Sequence, residues 1–354
     1  MKANKIILSL FLTGALLLPA LPVSALSAEA YVLMEAESGG IVCEKQADKR
    51  LPMASTTKIM TALVAMEAMP LDEKVRIPKE AVGIEGSSVY LKEGEVLTLE
   101  ELLYALLLAS ANDAAEAIAI AVAGSVSAFA ERMNRRAEEL GLTDTHFTNP
   151  HGLFDEAHYT TARELAAIAR EALENEDFAR IVSSGRASIP GSDGGKRFLV
   201  NHNRLLKSCE GCIGVKTGFT KKSGRCLVSA AEREGVRLIA VTLNAPDDWN
   251  DHACLFEEGF ACYEHMLLAR EGDIGFVMRS VGGERDTVSF SNADRIEATL
   301  RKEGKNITCR VEKRPFYYAP IAKGEVLGRV IFYNNGSPIG ESLLTADHEV
   351  RIGA

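Results

Sequence analysis

With 354 residues, of which 47% are hydrophobic and 25% charged, the chain is long for one hydrophobic core and long enough for two domains. Its formal net charge is −9, and no block of Lys and Arg gathers on one predicted face. The composition therefore excludes the basic surface that binds nucleic acid, and no nucleic-acid partner is predicted.

The first 25 residues have the pattern of a secretory signal peptide. Residues 1–5 carry two positive charges, residues 6–18 form an apolar run, and residues 23–25 offer small side chains for cleavage. The apolar run is shorter than the roughly 20 residues that span a bilayer, which argues against a membrane anchor. We predict that residues 1–25 are removed on export and that the mature protein works outside the cytoplasm, at the cell wall or the outer face of the cytoplasmic membrane, or as a secreted protein.

Residues 26–270 open with strand and helix signals. Turn residues 38–40 lie between two short apolar segments and predict a β-hairpin. Helical periodicity follows over residues 55–69, where Pro70 ends the helix. Further helices are predicted over residues 99–109, 113–123, 126–140 and 161–173, with a long polar loop over residues 143–159.

Strand signals return in the later part of this region. They cover residues 213–216, 225–233 and 236–244, and a last helix is predicted over residues 249–269. Strands thus open and close a block of helices, which is typical of an α+β domain whose two ends share one antiparallel sheet. In residues 271–354, short segments of alternating apolar and polar residues are separated by Gly and Asn turns, which predicts a small all-β domain.

The seven cysteines are an odd number, so at least one thiol stays unpaired within the chain. Cys209-x-x-Cys212 could be a redox pair or half of a metal site. No second such pair and no His pair at ligand spacing accompanies it, so no metal site and no cofactor are predicted. Cys212 and Cys226 flank the turn after Lys216, and a disulfide across that hairpin is an open hypothesis.

Ser55-Thr-Thr-Lys58 stands at the start of a predicted helix. Three residues of separation put both side chains on one face, about one turn apart, where a neutral Lys amine can take the Ser proton. A chain of this composition contains on the order of one such motif by chance. Taken alone, the motif is equally consistent with the solvent-exposed first turn of a helix.

Two more motifs follow in order: Ser110-Ala-Asn112 between two predicted helices and Lys216-Thr-Gly218 at the end of a predicted strand. Penicillin-recognising serine enzymes combine these three elements. The chain resembles the low-molecular-mass penicillin-binding D-alanyl-D-alanine carboxypeptidases, which are serine peptidases. The likeness runs from about residue 28 to residue 265, and it includes residues 51–55, 146–153, 159–163 and 214–220.

The resemblance implies a β-lactamase/penicillin-binding transpeptidase-like fold and the removal of terminal D-alanine from peptidoglycan stem peptides. It also implies covalent inhibition by β-lactam antibiotics. Ser55 would be the acyl-ester nucleophile, Lys58 the general base and Ser110 a proton relay. Burial and the positive charge of Lys216 would lower the pKa of Lys58, as a base requires.

The same resemblance implies a substrate-binding set. Asn112 would hold Lys58 and the substrate backbone, while Lys216 and Thr217 would bind the terminal carboxylate. The backbone N–H groups of Ser55 and Phe219 would form the oxyanion hole, at the positive end of the helix that Ser55 begins.

The residues present argue against several alternative functions. A class A β-lactamase needs a Glu-x-x-Leu-Asn motif, and Glu164 is instead followed by Leu-Ala-Ala and is assigned to a solvated helix face. No Gly-x-Ser-x-Gly elbow supports Ser-His-Asp hydrolysis, so His151 and His158 are assigned to hydrogen bonding or to a substrate-facing loop. A pseudoenzyme would lack Ser55 or Lys58.

Transpeptidation stays open, because an amine can resolve the same acyl-enzyme in place of water. The family commonly ends in an amphipathic membrane-binding helix, and residues 349–354 show no such segment. Peripheral association with the membrane is therefore left open as well.

Overall fold

The computed structural model describes residues 26–353, so the predicted signal peptide lies outside the described residues. The part up to residue 262 contains these strands and helices: β1 (Ala30–Glu35), β2 (Ile41–Lys45), α1 (Lys58–Ala68), β3 (Lys74–Arg76), β4 (Val96–Thr98), α2 (Leu99–Leu107), α3 (Asn112–Ala123), α4 (Val126–Glu139), α5 (Ala162–Leu173), α6 (Glu176–Ser183), β5 (Arg186–Pro190), β6 (Lys196–Val200), α7 (Leu205–Ser208), β7 (Cys212–Thr220), β8 (Gly224–Arg233), β9 (Val236–Leu243) and α8 (Asp248–Cys262).

The central sheet joins the two ends of this region. Its strands lie in the order β2-β1-β9-β8-β7 and all pair antiparallel. Because side chains alternate along a strand, Val32 and Met34 of β1 enter the core beneath α1 to α6, whereas Leu33 enters the core beneath α8. The predicted α+β class with one shared antiparallel sheet is confirmed.

Helix α1 occupies the middle of the helical block, and every residue from Lys58 to Ala65 is buried. It packs against α2, α3, α4 and α5. The sequence predicts that this helix begins at Ser55, but residues Ala54–Thr57 form a 3-10 turn and the α-helix follows it. Ser55 is therefore positioned by a tight turn, and the helix that follows this turn is buried in the core.

The predicted helix over residues 249–269 is wrong in its last part. Helix α8 ends at Cys262, and Tyr263–Ala269 is a strand, β10, that pairs antiparallel with Ile296–Arg301. Leu and Met suit a helix locally, but the partner strand lies about thirty residues further on, and such non-local pairing overrides local propensity. Helix α6 and the β5–β6 hairpin were not predicted.

The rest of the chain is all β, as predicted. Its strands are β11 (Gly275–Val281), β12 (Thr287–Asn292), β13 (Ile296–Arg301), β14 (Ile307–Lys313), β15 (Phe316–Tyr318), β16 (Val326–Asn334) and β17 (Ser337–Ala346). Six of them form one sheet in the order β14-β16-β17-β12-β11-β15. Val288, Phe290, Val330 and Leu344 are fully buried in a separate apolar core.

The suggested Cys212–Cys226 disulfide is wrong. Cys226 lies opposite Gly218 in the β7–β8 ladder, whereas Cys212 lies opposite Ala231, so the two thiols are at different levels of the hairpin. All seven cysteines fall within the described residues, and all are free thiols.

In residues 26–353, no single helix has the length and the apolar character needed to cross a bilayer. Helices α3 and α4 meet that test only as a pair, and they are bent by 82° at their junction.

Candidate active site

A cleft of about 920 Å³ contains Ser55, Ser110 and Thr217 in its wall. Ser55 enters it from the 3-10 turn, in which Ala54 has a φ of 48°. The hydroxyl of Thr57 donates to the carbonyl of Ala54 at 2.8 Å and holds the turn closed. The left-handed conformation at Ala54 costs energy for a non-glycine residue, and the surrounding structure holds it in place.

Lys58 lies one turn below Ser55 and is fully buried. Its Nζ atom is 3.0 Å from the Ser55 Oγ, 2.7 Å from the Asn112 Oδ1 and 2.8 Å from the carbonyl oxygen of His151. The amide and carbonyl oxygens can only accept, so they take two N–H bonds. In a neutral amine the remaining position is a lone pair directed at the Ser55 hydroxyl.

The surroundings of Lys58 favour that neutral amine. Burial lowers the pKa of Lys58 well below its usual value, and the positive charge of Lys216 lowers it further. The charge of Asp113 acts in the opposite direction. The arrangement can therefore supply a base at the pH where a free lysine would be an ammonium ion.

Lys216 and Ser110 form a second buried pair across the cleft. The Lys216 Nζ donates to the Ser110 Oγ at 3.1 Å and to the carbonyl of Thr217 at 2.8 Å. Burial lowers the pKa of Lys216 to about 7. Ser110 has a φ of 58°, a conformation that few non-glycine residues adopt, so its hydroxyl is held by a constrained backbone.

Asn112 begins α3 and is held at both ends of its amide. Its Oδ1 accepts from Lys58, while its Nδ2 donates to the carbonyl of Glu85 at 2.6 Å. The next residue, Asp113, accepts hydrogen bonds from the backbone N–H groups of Val89 and Leu91. Asn112 therefore orients the Lys58 amine directly.

The edge strand β7 forms the opposite side of the cleft and carries Thr217 and Phe219. A Cβ atom at Gly218 would lie 3.0 Å from the Ser55 backbone N and 3.1 Å from the Met53 carbonyl oxygen. Only glycine lets the strand approach Ser55 this closely. The Phe219 side chain is 65% exposed at the mouth of the cleft.

Residues 19–247 match the family described as D-alanyl-D-alanine carboxypeptidase. The chain belongs to this family of serine hydrolases. Residues 263–351 match the C-terminal domain of penicillin-binding protein 5. Among similar carboxypeptidases, DacF of Bacillus subtilis is 33% identical over 336 residues, which are 92% of this chain and 86% of DacF.

Solved structures agree with this membership. Penicillin-binding protein 5 of Haemophilus influenzae is 28% identical, has a TM-score of 0.68, and is similar over 92% of this chain and 98% of its own. A mutant of the Streptomyces K15 DD-transpeptidase is 34% identical with a TM-score of 0.64, over 67% of this chain and 98% of its own.

Two of the three histidines in the long loop, His151 and His158, are buried in this carboxypeptidase fold. The His158 Nε2 lies 2.8 Å from the Thr57 Oγ1, and burial lowers the pKa of His158 to about 3. The His151 Nε2 lies 3.3 Å from a carboxylate oxygen of Glu116, and the His151 carbonyl accepts from Lys58. Both histidines support the Ser55–Lys58 turn through hydrogen bonds.

Glu164 is not on a free solvated face. Its carboxylate accepts from the backbone N–H groups of Thr143 and Asp144 and from the Thr145 hydroxyl. It fixes the start of the long loop, which the sequence pattern around Glu164 does not indicate.

The cleft also contains residues that sequence reasoning missed. They come from the turn after β6 and from the region where β8 and α8 meet: His202, Arg204, Lys207, Arg225, Asp248 and Trp249. None of them belongs to a motif, and the unpredicted β5–β6 hairpin leads into the first three. Their only signal is the Asn-rich segment at residues 201–203, which is typical of a turn.

Proposed function

We propose that this carboxypeptidase is exported and removes the terminal D-alanine of peptidoglycan stem pentapeptides through an acyl-enzyme at Ser55. The proposal rests on the contact between the Ser55 Oγ and the Lys58 Nζ, at 3.0 Å. The two N–H groups of the neutral amine donate to the Asn112 Oδ1 and to the His151 carbonyl oxygen. The signal-peptide pattern of residues 1–25 supports export.

In the first step, the neutral Lys58 amine takes the Ser55 proton, and the Oγ attacks the carbonyl carbon of the penultimate D-alanine. The negative charge on the carbonyl oxygen is stabilised by the backbone N–H groups of Ser55 and Phe219. When the tetrahedral intermediate collapses, the C–N bond breaks and the leaving D-alanine nitrogen receives the proton. Ser110 relays that proton towards the leaving group.

In the second step, a water molecule attacks the acyl-ester while Lys58 takes its proton. The ester bond breaks, the proton returns to the Ser55 Oγ, and the shortened peptide leaves. Lys216 and Thr217 bind the carboxylate of the terminal D-alanine, as a cation and a hydroxyl can. The exposed side of β7 pairs with the backbone of the substrate as an added strand.

Penicillin follows the same path as far as the acyl-enzyme. Fast release would need a second group, besides Lys58, that activates water against the bulky adduct, and Glu164 is already engaged by the long loop. We expect a covalent penicillin adduct that hydrolyses slowly. Rapid turnover of a chromogenic cephalosporin would contradict this expectation.

D-alanine release from diacetyl-L-lysyl-D-alanyl-D-alanine tests the proposal. The wild-type enzyme should release D-alanine, whereas Ser55→Ala should release none while keeping its circular dichroism spectrum. An added acceptor such as glycylglycine separates hydrolysis from transpeptidation. Hydrolysis gives only diacetyl-L-lysyl-D-alanine, whereas transpeptidation also gives the same acyl group joined to the acceptor. Release by Ser55→Ala at the wild-type rate would contradict the acyl-enzyme.

A further inference from the structure

One wall of the cleft carries two cations that no described residue neutralises. This wall is residues 201–208, where Arg204 and Lys207 face the cleft and are exposed. Within residues 26–353 neither side chain has an ion pair or a hydrogen bond. By contrast, Arg225 elsewhere in the cleft is held by Asp248, whose Oδ1 accepts from the Arg225 Nε at 2.9 Å and Nη2 at 2.7 Å.

The charge of the cleft is therefore opposite to that of the whole chain. Asp248 is the one carboxylate among the described lining residues, and Arg225 already balances it. Arg204 and Lys207 leave the lining positive, although the formal net charge of the chain is −9. A concave site lined by one sign of charge concentrates ligands of the other sign.

The 201–208 wall lies on the side of the leaving residue. The His202 N–H donates to the carbonyl of Leu108, beside the Ser110 turn. The wall then leads through α7 into β7, and it meets that strand at its start. Gly218 of β7 lies beside Ser55, where the carbonyl of the substrate reacts, and Lys216 lies two residues nearer the start of β7, where the terminal carboxylate of the substrate binds. The start of β7 therefore lies towards the leaving residue. This direction rests on the proposed function.

The cleft as a whole is larger than D-alanine alone requires. A volume of about 920 Å³ lies in the range of sites that hold whole small molecules, about 300–1,000 Å³, while the D-alanine side chain is one methyl group. A larger leaving residue would extend from Lys216 along the wall towards Arg204 and Lys207. The groups that complement two exposed cations are carboxylates.

We propose that Arg204 and Lys207 form a subsite for a second carboxylate, carried on the side chain of the leaving residue. The enzyme then releases an acidic D-amino acid faster than a neutral one of the same shape. The bond cleaved and the water consumed are those of the carboxypeptidase reaction, so no further reactant is needed.

Three peptides measure this preference: diacetyl-L-lysyl-D-alanine extended by D-alanine, by D-glutamate or by D-glutamine. D-Glutamine matches D-glutamate in shape and lacks its side-chain charge. We expect kcat/KM for D-glutamate release to exceed that for D-glutamine release about 5-fold at low salt, from two partly exposed ion pairs. About 0.5 M NaCl should reduce the ratio to about 2-fold, because the Debye length becomes shorter than the reach of these pairs.

Variants assign the preference to the wall. Arg204→Gln and Lys207→Gln should each lower the ratio about 2-fold, and the double variant should bring it to about 1. Lys196→Gln is the matched control, since Lys196 is an exposed cation on β6 outside the cleft lining, and it should keep the wild-type ratio.

Equal rates for the two peptides in the wild type, or an unchanged ratio in the double variant, would overturn the subsite. D-alanine release without any release of D-glutamate would overturn it too, and would leave the proposed function intact. Absence of release from all three peptides would contradict the proposed function itself and the subsite with it.

Discussion

The Nζ atom of Lys58 and the Oγ atom of Ser55 are 3.0 Å apart, and the lysine that holds this position is fully buried. The amine is fixed from two other directions by the Asn112 Oδ1 and the His151 carbonyl. An amine held this way cannot turn from the serine to another partner. In the proposed mechanism, the protonation state of this amine decides whether Ser55 is activated as a nucleophile.

Lys58→Met keeps the unbranched side chain up to the ε position and removes the amine of the proposed base. We expect kcat/KM for D-alanine release to fall about 10²–10⁴-fold, which is the contribution of a positioned general base. Lys196→Met, at an exposed site on β6, is the control for loss of a lysine. Wild-type acylation in Lys58→Met with an unchanged circular dichroism spectrum would remove Lys58 from the mechanism.

The pH dependence of acylation follows from the two buried lysines. Burial and the charge of Lys216 lower the pKa of Lys58, so the amine is neutral and acylation is fast well below the pKa of about 10.4 for free lysine. Acidification protonates Lys58 and slows acylation. As pH rises through about 7, Lys216 loses its charge and, in its proposed role, should bind the substrate carboxylate less well.

Rapid-mixing measurements of acylation between about pH 5 and pH 9 check this expectation. The two lysines interact, so the profile reports apparent pKa values of the pair. We expect kcat/KM for the peptide to pass through a maximum. A flat profile, or a single rise close to the pKa of free lysine, would contradict a buried neutral base.

Asn112→Asp places a carboxylate where the amide oxygen lies 2.7 Å from the Lys58 amine. An opposite charge this close favours the ammonium form, so the pKa of Lys58 should rise. Acylation should slow at neutral pH and recover at higher pH. Asn112→Ala adds no charge and should slow acylation without that alkaline recovery; the same profile in both variants would exclude the electrostatic explanation.

Gly218→Ala tests the close approach of β7 to Ser55. The added Cβ would lie 3.0 Å from the Ser55 backbone N, so the strand or the turn must move. A shift of about 1 Å at a reacting centre lowers kcat on the order of 10²-fold. Gly185→Ala is the control, because a Cβ there meets nothing within 4 Å. Equal kcat values for the two variants would contradict the need for close approach.

The sequence predicts best what depends on neighbours along the chain. The spacing of Ser55 and Lys58 places them one turn apart. The apolar run of β9 and the periodicity of α5 predict the elements around them. The order of the three motifs resembles that of a known family, and this resemblance predicts that Ser110 and Lys216 lie close to Ser55.

Features that depend on distant contacts could not be predicted. The third partner of Lys58 is the backbone carbonyl of His151, and a backbone atom has no sequence signature. Tyr263–Ala269 forms a strand because Ile296–Arg301 lies beside it. A register shift between Cys212 and Gly214 is equally invisible in the sequence, and the pairing of β7 with β8 leaves Cys212 at a different level from Cys226.

Covalent trapping can show whether Ser55 is the nucleophile. Purified mature protein and its Ser55→Ala variant would be incubated with a penicillin, and the mass of each intact protein and of its proteolytic fragments would be recorded. We expect one penicillin per wild-type molecule, attached to the fragment that contains Ser55, and no adduct on the variant. An adduct on another residue, or equal adducts on both proteins, would contradict the acyl-enzyme at Ser55.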